Sequence, residues 1–175
     1  MRPDWDEHFL SIAESCALMG TCVRRQVGAV VVDARRRILS TGFNGTPPKW
    51  PHCGRKSGEV LCPGFNAASG KGLDACYANH AEINALINCP DVDAARVCYS
   101  TASPCISCVK ALLCTNISRV VFIDHYTQPE AMHLWIRYAS PLGDPRTWEW
   151  FTRRDPETGI DGEVFRTIVL ASSAK

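Results

Sequence analysis

The sequence predicts an α/β fold, a three-layer α/β/α sandwich built around one mixed sheet. Three observations carry that prediction. The chain has 175 residues, the length of a single domain of ordinary size. A β-branched apolar run, Gln26 to Val32, is followed across a charged turn by a second run, Ile38 to Phe43, and the two read as an antiparallel hairpin. After the hairpin, helical and strand patterns alternate, which is the order that packs helices on the faces of a sheet.

In chain order, Trp5 to Gly20 reads as a helix capped by Asp4, with Phe9, Ile12, Ala13, Cys16 and Ala17 along one face and Gly20 as the stop. Gln26 to Val32 is nearly all apolar, as in a strand buried on both faces. The segment from Asn44 to about Asn79 is a long loop, and a loop of that length in a compact domain needs something to hold it. His80 to Asn88 has helical periodicity through Ile83, Leu86 and Ile87, and Ala95 to Thr101 reads as a strand. Ser103-Pro104 looks like an N-cap followed by proline at the first helical position, opening a helix to about Thr115. Val120 to Ile123 is a short buried strand, and Pro129 to Ala139 is helical with Met132, Leu134, Trp135 and Tyr138 to bury. Beyond Asp144, Thr147 to Arg153 and Glu163 to Leu170 read as two strands joined by a turn-rich DPETGIDG segment. The chain is thus expected to be one domain, 1–175, with a two-strand extension over about 144–175.

Composition narrows the function classes. Hydrophobic residues make up 46% and charged residues 21%, which gives a core and excludes wholesale disorder. Lys+Arg is 19 against Asp+Glu 18, a net charge of +1, which argues against a long nucleic acid as the main partner but allows a small anion held by one or two arginines. No apolar run approaches the roughly 18 residues of a membrane span. The opening MRPDWDEHF is polar and mixed in charge, so it does not read as a signal peptide and the chain is expected to be cytoplasmic. Ten cysteines are many for this length. Where thiols stay reduced, such a content points to metal rather than to disulfides.

The chemistry concentrates in His80-Ala81-Glu82 and Pro104-Cys105-Ile106-Ser107-Cys108. Cys105 and Cys108, three apart at a helix start, share a face and reach one ion. A helix N-terminus also favours thiolate. His80 is the third ligand, from a second helix start. Three protein ligands leave a tetrahedral zinc one open position, as a catalytic site requires. Water bound there falls from a pKa of about 15.7 toward about 7. Glu82 sits beside that water as a proton carrier without binding metal. A redox C-x-x-C reading leaves His80 and Glu82 without a task, and a structural zinc knuckle needs no proton carrier.

H-x-E followed by P-C-x-x-C resembles the signature of zinc-dependent deaminases. Further segments resemble deoxycytidylate (dCMP) deaminases of bacteria and phage: Cys22 to Val30 as their first-strand motif, Gly42-Phe43-Asn44-Gly45-Thr46-Pro47 as their Y-N-G-x-P loop, His52-Cys53, His80 to Ala85 as their H-A-E-x-N-A helix, and Asp124-His125-Tyr126. The resemblance covers about residues 5–139. It implies a cytidine-deaminase-like fold. It also implies hydrolysis of dCMP to dUMP and ammonia, with dUMP as precursor of thymidylate. His80, Cys105 and Cys108 would hold catalytic Zn²⁺, whose hydroxide attacks C4 of cytosine. Glu82 would carry protons to N3 and to the leaving amine, Tyr126 would contact the nucleotide and Asn44 the sugar. Arg24 and Arg25 either touch phosphate or cap the strand in solvent, and Thr46 is a lesser candidate. Members often carry a second, structural zinc, here with Cys22, Cys53, Cys76 and Cys62, His52 being the rival to Cys62. The alternative is scattered reduced thiols. Cys16, Cys89, Cys98 and Cys114 are expected to be small buried residues.

The resemblance further implies a homo-oligomer, commonly a hexamer, with Trp135, Trp148 and Trp150 either at an interface or in the core. A nucleoside triphosphate effector is implied too, and Phe43 in place of the usual tyrosine weighs against it. Rival readings are a deaminase of 5-substituted dCMP or of dCTP, a nucleic-acid-editing deaminase, which the charge balance opposes, and a zinc-stabilised interaction module without catalysis, which Glu82 opposes.

Overall fold

The computed structural model describes residues 2–53, 62–65, 75–125, 128–152 and 164–168. Among them run α1 (Trp5–Ala17), β1 (Gly28–Asp33), β2 (Ile38–Phe43), α2 (Ala81–Ile87), a 3₁₀ turn (Val92–Ala94), β3 (Ala95–Ala102), α3 (Ile106–Leu113), β4 (Arg119–Asp124), α4 (Pro129–Ile136), β5 (Thr147–Phe151) and β6 (Val164–Ile168). The strands form one sheet in the order β2-β1-β3-β4-β5-β6. β1 is antiparallel to both β2 and β3, β3, β4 and β5 are mutually parallel, and β6 returns antiparallel to β5. The sheet is therefore mixed, as expected, and the expected DPETGIDG turn lies outside the described residues.

Alternation along the strands divides the core between two faces. On one side Val30, Val32, Tyr99, Val121 and Phe151 pack against Phe9, Leu10 and Ala13 of α1. On the other, Ala29, Val31, Cys98, Val120, Phe122 and Trp148 pack against α2, α3 and α4 through Ala81, Val109 and Trp135. β1 contributes to both clusters and is buried at all its positions, which explains its unbroken apolar run. Trp135 and Trp148 are core residues, leaving Trp150 as the partly exposed member of that set. Cys114, expected to be buried, is exposed at the end of α3.

Three helix boundaries differ from the sequence reading, one being the end of α4, which closes at Ile136 and not at Ala139 and leaves Tyr138 exposed. α1 closes at Ala17 because Met19 N and Gly20 N turn back onto the carbonyls of Cys16 and Ala17. α3 begins at Ile106 with Cys105 as N-cap, not with Ser103-Pro104. Ser103 N still follows the strand, donating to Asp124 O at 2.9 Å, so the helix starts only after it.

Two glycines set how closely the helical layers approach. A Cβ on Gly28 would lie 1.9 Å from Ala13 O and 2.6 Å from Ala17 N of α1, and one on Gly42 would lie 2.2 Å from Ala81 O and 2.4 Å from Ala85 N of α2. The opposing atoms are helix backbone and have no rotamer to give. Gly28→Ala is therefore expected to destabilise the fold by at least about 2 kcal/mol, read as a lowered midpoint in urea unfolding. An unchanged midpoint would mean that α1 does not seat on β1 in this way.

Candidate active site

α2 and α3 both start near the C-terminal end of β3, and their N-cap residues are His80 and Cys105. The bridge between Gly45 and Asn79 brings the chain to His80 from the end of β2. His80 Nδ1 lies 3.3 Å from Cys105 Sγ and 3.2 Å from Cys108 Sγ, and the two sulfurs are 3.6 Å apart. Among the described residues these three form the one group of three or more candidate ligands whose atoms all lie within 4.8 Å of one another. Zn–S bonds of about 2.3 Å and Zn–N bonds of about 2.0–2.1 Å put tetrahedral ligand atoms about 3.6–3.8 Å apart. The triangle is close to that size and the donor set is soft, so the residues fit zinc.

Electrostatics favour a metal-ready state. The Cys105 thiol is brought down to about 4 by hydrogen bonding to Cys108, with burial opposing and His80 adding to the effect. Cys108 moves the other way, because its proton is shared with Cys105 and because it is buried. His80 is raised by its hydrogen bond to Cys105. Glu82, in the first turn of α2, is 3% exposed, and burial pushes its carboxyl above the usual range. Its Oε2 accepts from Cys108 Sγ at 3.4 Å and its Oε1 lies 3.4 Å from Ser100 Oγ, which is also 3.4 Å from Gly28 O. A carboxyl in such a place holds and releases a proton readily.

His80, Glu82 and Cys105 lie in the wall of a cavity of about 450 Å³, a volume within the range of small-molecule sites. Asn44, Arg24 and Arg25 line it too. Asn44 Oδ1 accepts from Val27 N at 2.8 Å and its Nδ2 donates to Arg25 O at 2.7 Å, so the side chain first of all fixes the entry to β1. Arg24 Nη1 donates to Gly64 O at 2.8 Å, and Arg25 Nη2 pairs with Asp124 Oδ2 at 2.7 Å. Thr46 is not in the cavity wall. Its backbone N–H donates to Thr21 Oγ1, and its own buried hydroxyl has no partner among the described residues. Tyr126 lies outside the described residues.

The second cysteine set is only partly assembled. Cys62 Sγ and Cys76 Sγ are 3.9 Å apart, and Cys53 is buried, hydrogen-bonded to Cys62 and raised by that burial. Cys22 lines the cavity with Cys76. His52, the rival ligand, is exposed.

Three contributors were given no role by the sequence reading. Ser100 faces Glu82 from β3, and nothing in the strand's pattern marks it. Asp124 pairs with Arg25, a contact between residues 99 apart in the chain. Gln128 stands at the N-cap of α4 but its side chain makes no cap bond to that helix, and its Oε1 instead accepts from Ile106 N of α3 at 3.0 Å.

The family model of the cytidine and deoxycytidylate deaminase zinc-binding region matches residues 3–124. The deoxycytidylate deaminase of Mycobacterium phage D29 is 43% identical over 126 residues, covering 69% of this chain and 95% of that protein. The deoxycytidylate deaminase of Saccharomyces cerevisiae is 34% identical over 132 residues, which span 74% of this chain but 41% of that longer protein. The crystal structure of the dCMP deaminase of cyanophage S-TIM5 in complex with dCMP and dUMP superposes with a TM-score of 0.61 at 26% identity, covering 83% of this chain and 97% of that one.

The geometry generates a metal-content prediction. Cys105→Ser is expected to lose one tightly bound zinc ion per chain relative to the parent, measured by elemental analysis after purification without added metal, while circular dichroism stays that of a folded chain. Undiminished zinc would remove Cys105 from the ligand set.

Proposed function

The chain belongs to the zinc-binding cytidine and deoxycytidylate deaminases, and from that premise we propose that it hydrolyses dCMP to dUMP and ammonia. The observation that carries the reading is the buried Glu82 carboxyl in contact with the His80–Cys105–Cys108 corner in a nucleotide-sized cavity. His80, Cys105 and Cys108 would hold zinc, which when bound supplies a water acidic enough to act as nucleophile at neutral pH. Glu82 takes the first proton of that water and passes it to N3 of the cytosine ring as the oxygen bonds to C4. It then takes the remaining hydroxyl proton and gives it to the amine at C4. The C4–N bond breaks, ammonia leaves, and C4 becomes the carbonyl of uracil. Ser100 engages one oxygen of the Glu82 carboxyl from β3 and helps fix its direction. Asn44 meets the sugar through the free lone pair and hydrogen of its amide, Tyr126 contacts the nucleotide, and Arg25 and Arg24 meet the 5′-phosphate.

Cys22, Cys53, Cys62 and Cys76 hold a second, structural zinc in this reading. The 3.9 Å Cys62–Cys76 separation, close to the edge of a tetrahedral zinc–thiolate site, and Cys53 beside it support that reading. All ten cysteines are free thiols, which suits a reducing cytoplasm, where the dUMP formed would supply thymidylate synthesis. Exposed Leu18, Met19, Ile87 and Leu142 offer apolar surface for self-association, and Thr46 is given no substrate contact.

Glu82→Gln is expected to keep its zinc and bind dCMP with ordinary affinity, and to lose turnover by at least about 10²–10⁴-fold. Loss of absorbance of the cytosine ring, followed together with ammonia release, measures it. Near-normal turnover would end the proton-carrier role. For the second site, Cys76→Ser is expected to lower bound zinc from two ions per chain to one with the catalytic zinc retained; a parent protein that binds a single ion would show that no second site exists.

A further inference from the structure

Arg25 is fixed at the cavity rim from two sides. Its carbonyl accepts from Asn44 Nδ2 at 2.7 Å, and its Nη2 pairs with Asp124 Oδ2 at 2.7 Å. Its remaining donors have no further partner among the described residues, so one edge of the guanidinium stays open for a bidentate phosphate contact. Asp124 is itself held firmly. It pairs with Ala102 across β3 and β4, its carbonyl accepts from Ser103 N at 2.9 Å, and the carbonyl of Ile123 before it accepts from Trp150 Nε1 at 2.6 Å. Ala102 and Ser103 both line the cavity, so this carboxylate stands at the rim and not on a remote surface.

We propose that Asp124, acting through Arg25, biases the site against additional phosphate charge and so favours nucleoside 5′-monophosphates over di- and triphosphates. The proposal rests on the deaminase reading above and deepens it. The pair reduces the attraction that adjacent Arg24 and Arg25 would otherwise exert on any polyanion. A monophosphate gains the open guanidinium edge at short range. A further phosphate that extends along the rim would meet the charge of Asp124, whose side chain is 62% exposed there. Each added negative charge within about 7 Å of that carboxylate costs a factor of about three in affinity at the high dielectric of an exposed rim. Asp124 is a positioning residue: it touches neither the base nor the reacting atoms.

The test measures kcat and KM of the zinc-loaded full chain on dCMP, dCDP and dCTP at low and high salt, with any nucleotide that is not turned over scored as an inhibitor of dCMP deamination. Asp124→Asn is expected to shrink the preference for dCMP over dCTP by about three- to tenfold, and over dCDP by less, with the change in KM or Ki. The preference of the wild type should weaken with added salt and that of Asp124→Asn should not. Asp124→Glu should restore the preference. Equal effects on the three nucleotides, or an unchanged ratio in Asp124→Asn, overturn the proposal while leaving dCMP deamination standing. A wild type that deaminates no cytosine nucleotide overturns the deaminase reading itself.

Discussion

His80 and Cys105 occupy the two N-cap positions that meet at the end of β3, and neither side chain closes its own helix. Serine, threonine, aspartate or asparagine at such a position is worth about 1 kcal/mol over a residue that makes no cap bond. The chain forgoes that stabilisation twice at one place, and turns the two side chains toward each other and toward Cys108. At α3 the loss is made good from outside, by Gln128 on the open Ile106 N–H. Local rules of this kind are broken where function demands it. The rest of the architecture serves the convergence: Gly42 lets α2 settle onto β2, and the parallel pairing of β3 with β4 sets where α3 begins.

Depth matters as much as convergence. Glu82 follows His80 by two residues, which turns it inward against Ser100 and Cys98 while His80 remains half-buried at the cavity wall. A carboxylate in that place is poorly solvated, so its neutral form gains relative to water. The same burial that raises its pKa also fixes its direction, since its two oxygens meet different neighbours: one the Cys108 sulfur, the other the Ser100 hydroxyl. The site thus separates holding from transferring. In the proposed reading, sulfur and imidazole form the metal corner and the carboxyl beside it is left to move protons.

The range of each interaction decides how legible it is in the sequence. The hairpin could be read because β1 is buried on both faces and announces itself by composition. His80, Glu82, Cys105 and Cys108 could be read because their residue types and short spacings already constitute the chemistry. The start of α3 could not be placed from capping preference: Ser103 and Pro104 look like an ordinary helix opening, but a hydrogen bond to Asp124 O, made in the tertiary fold, holds Ser103 in the strand's path. Asn44 was legible as a pocket residue, yet its bonds to Val27 and Arg25 show that it also builds the pocket. Thr46 looked equivalent in sequence, but its backbone is tied to Thr21 and it stays out of the cavity wall. Tryptophans at three positions were equally suited to core or surface, and only packing against Phe122 and α4 decides for Trp135 and Trp148.

The family match ends with β4, at residue 124, and the two strands beyond it change the standing of β4. With β5 and β6 added, β4 lies inside the sheet and not at its edge, and Val120, Val121 and Phe122 are fully buried. The neighbouring β5 is tied in at both ends of β4. At one end Glu149 joins Asp6 of α1 around Arg119, which also meets the Tyr99 hydroxyl, so α1, β3, β4 and β5 share one half-buried guanidinium. Removing Arg119 would strand the buried Glu149 carboxylate away from water, which makes such a network act as a unit. At the other end Trp150 holds the carbonyl of Ile123 and sets its ring against His125, just where the chain leaves the strand for the segment to Gln128. Asp124 and Gln128 lie on either side of that segment, one reaching Arg25 at the rim and the other the N-terminus of α3. Strands that carry no part of the deaminase motif therefore fix the backbone from which both the cavity rim and the metal-ligand helix are positioned.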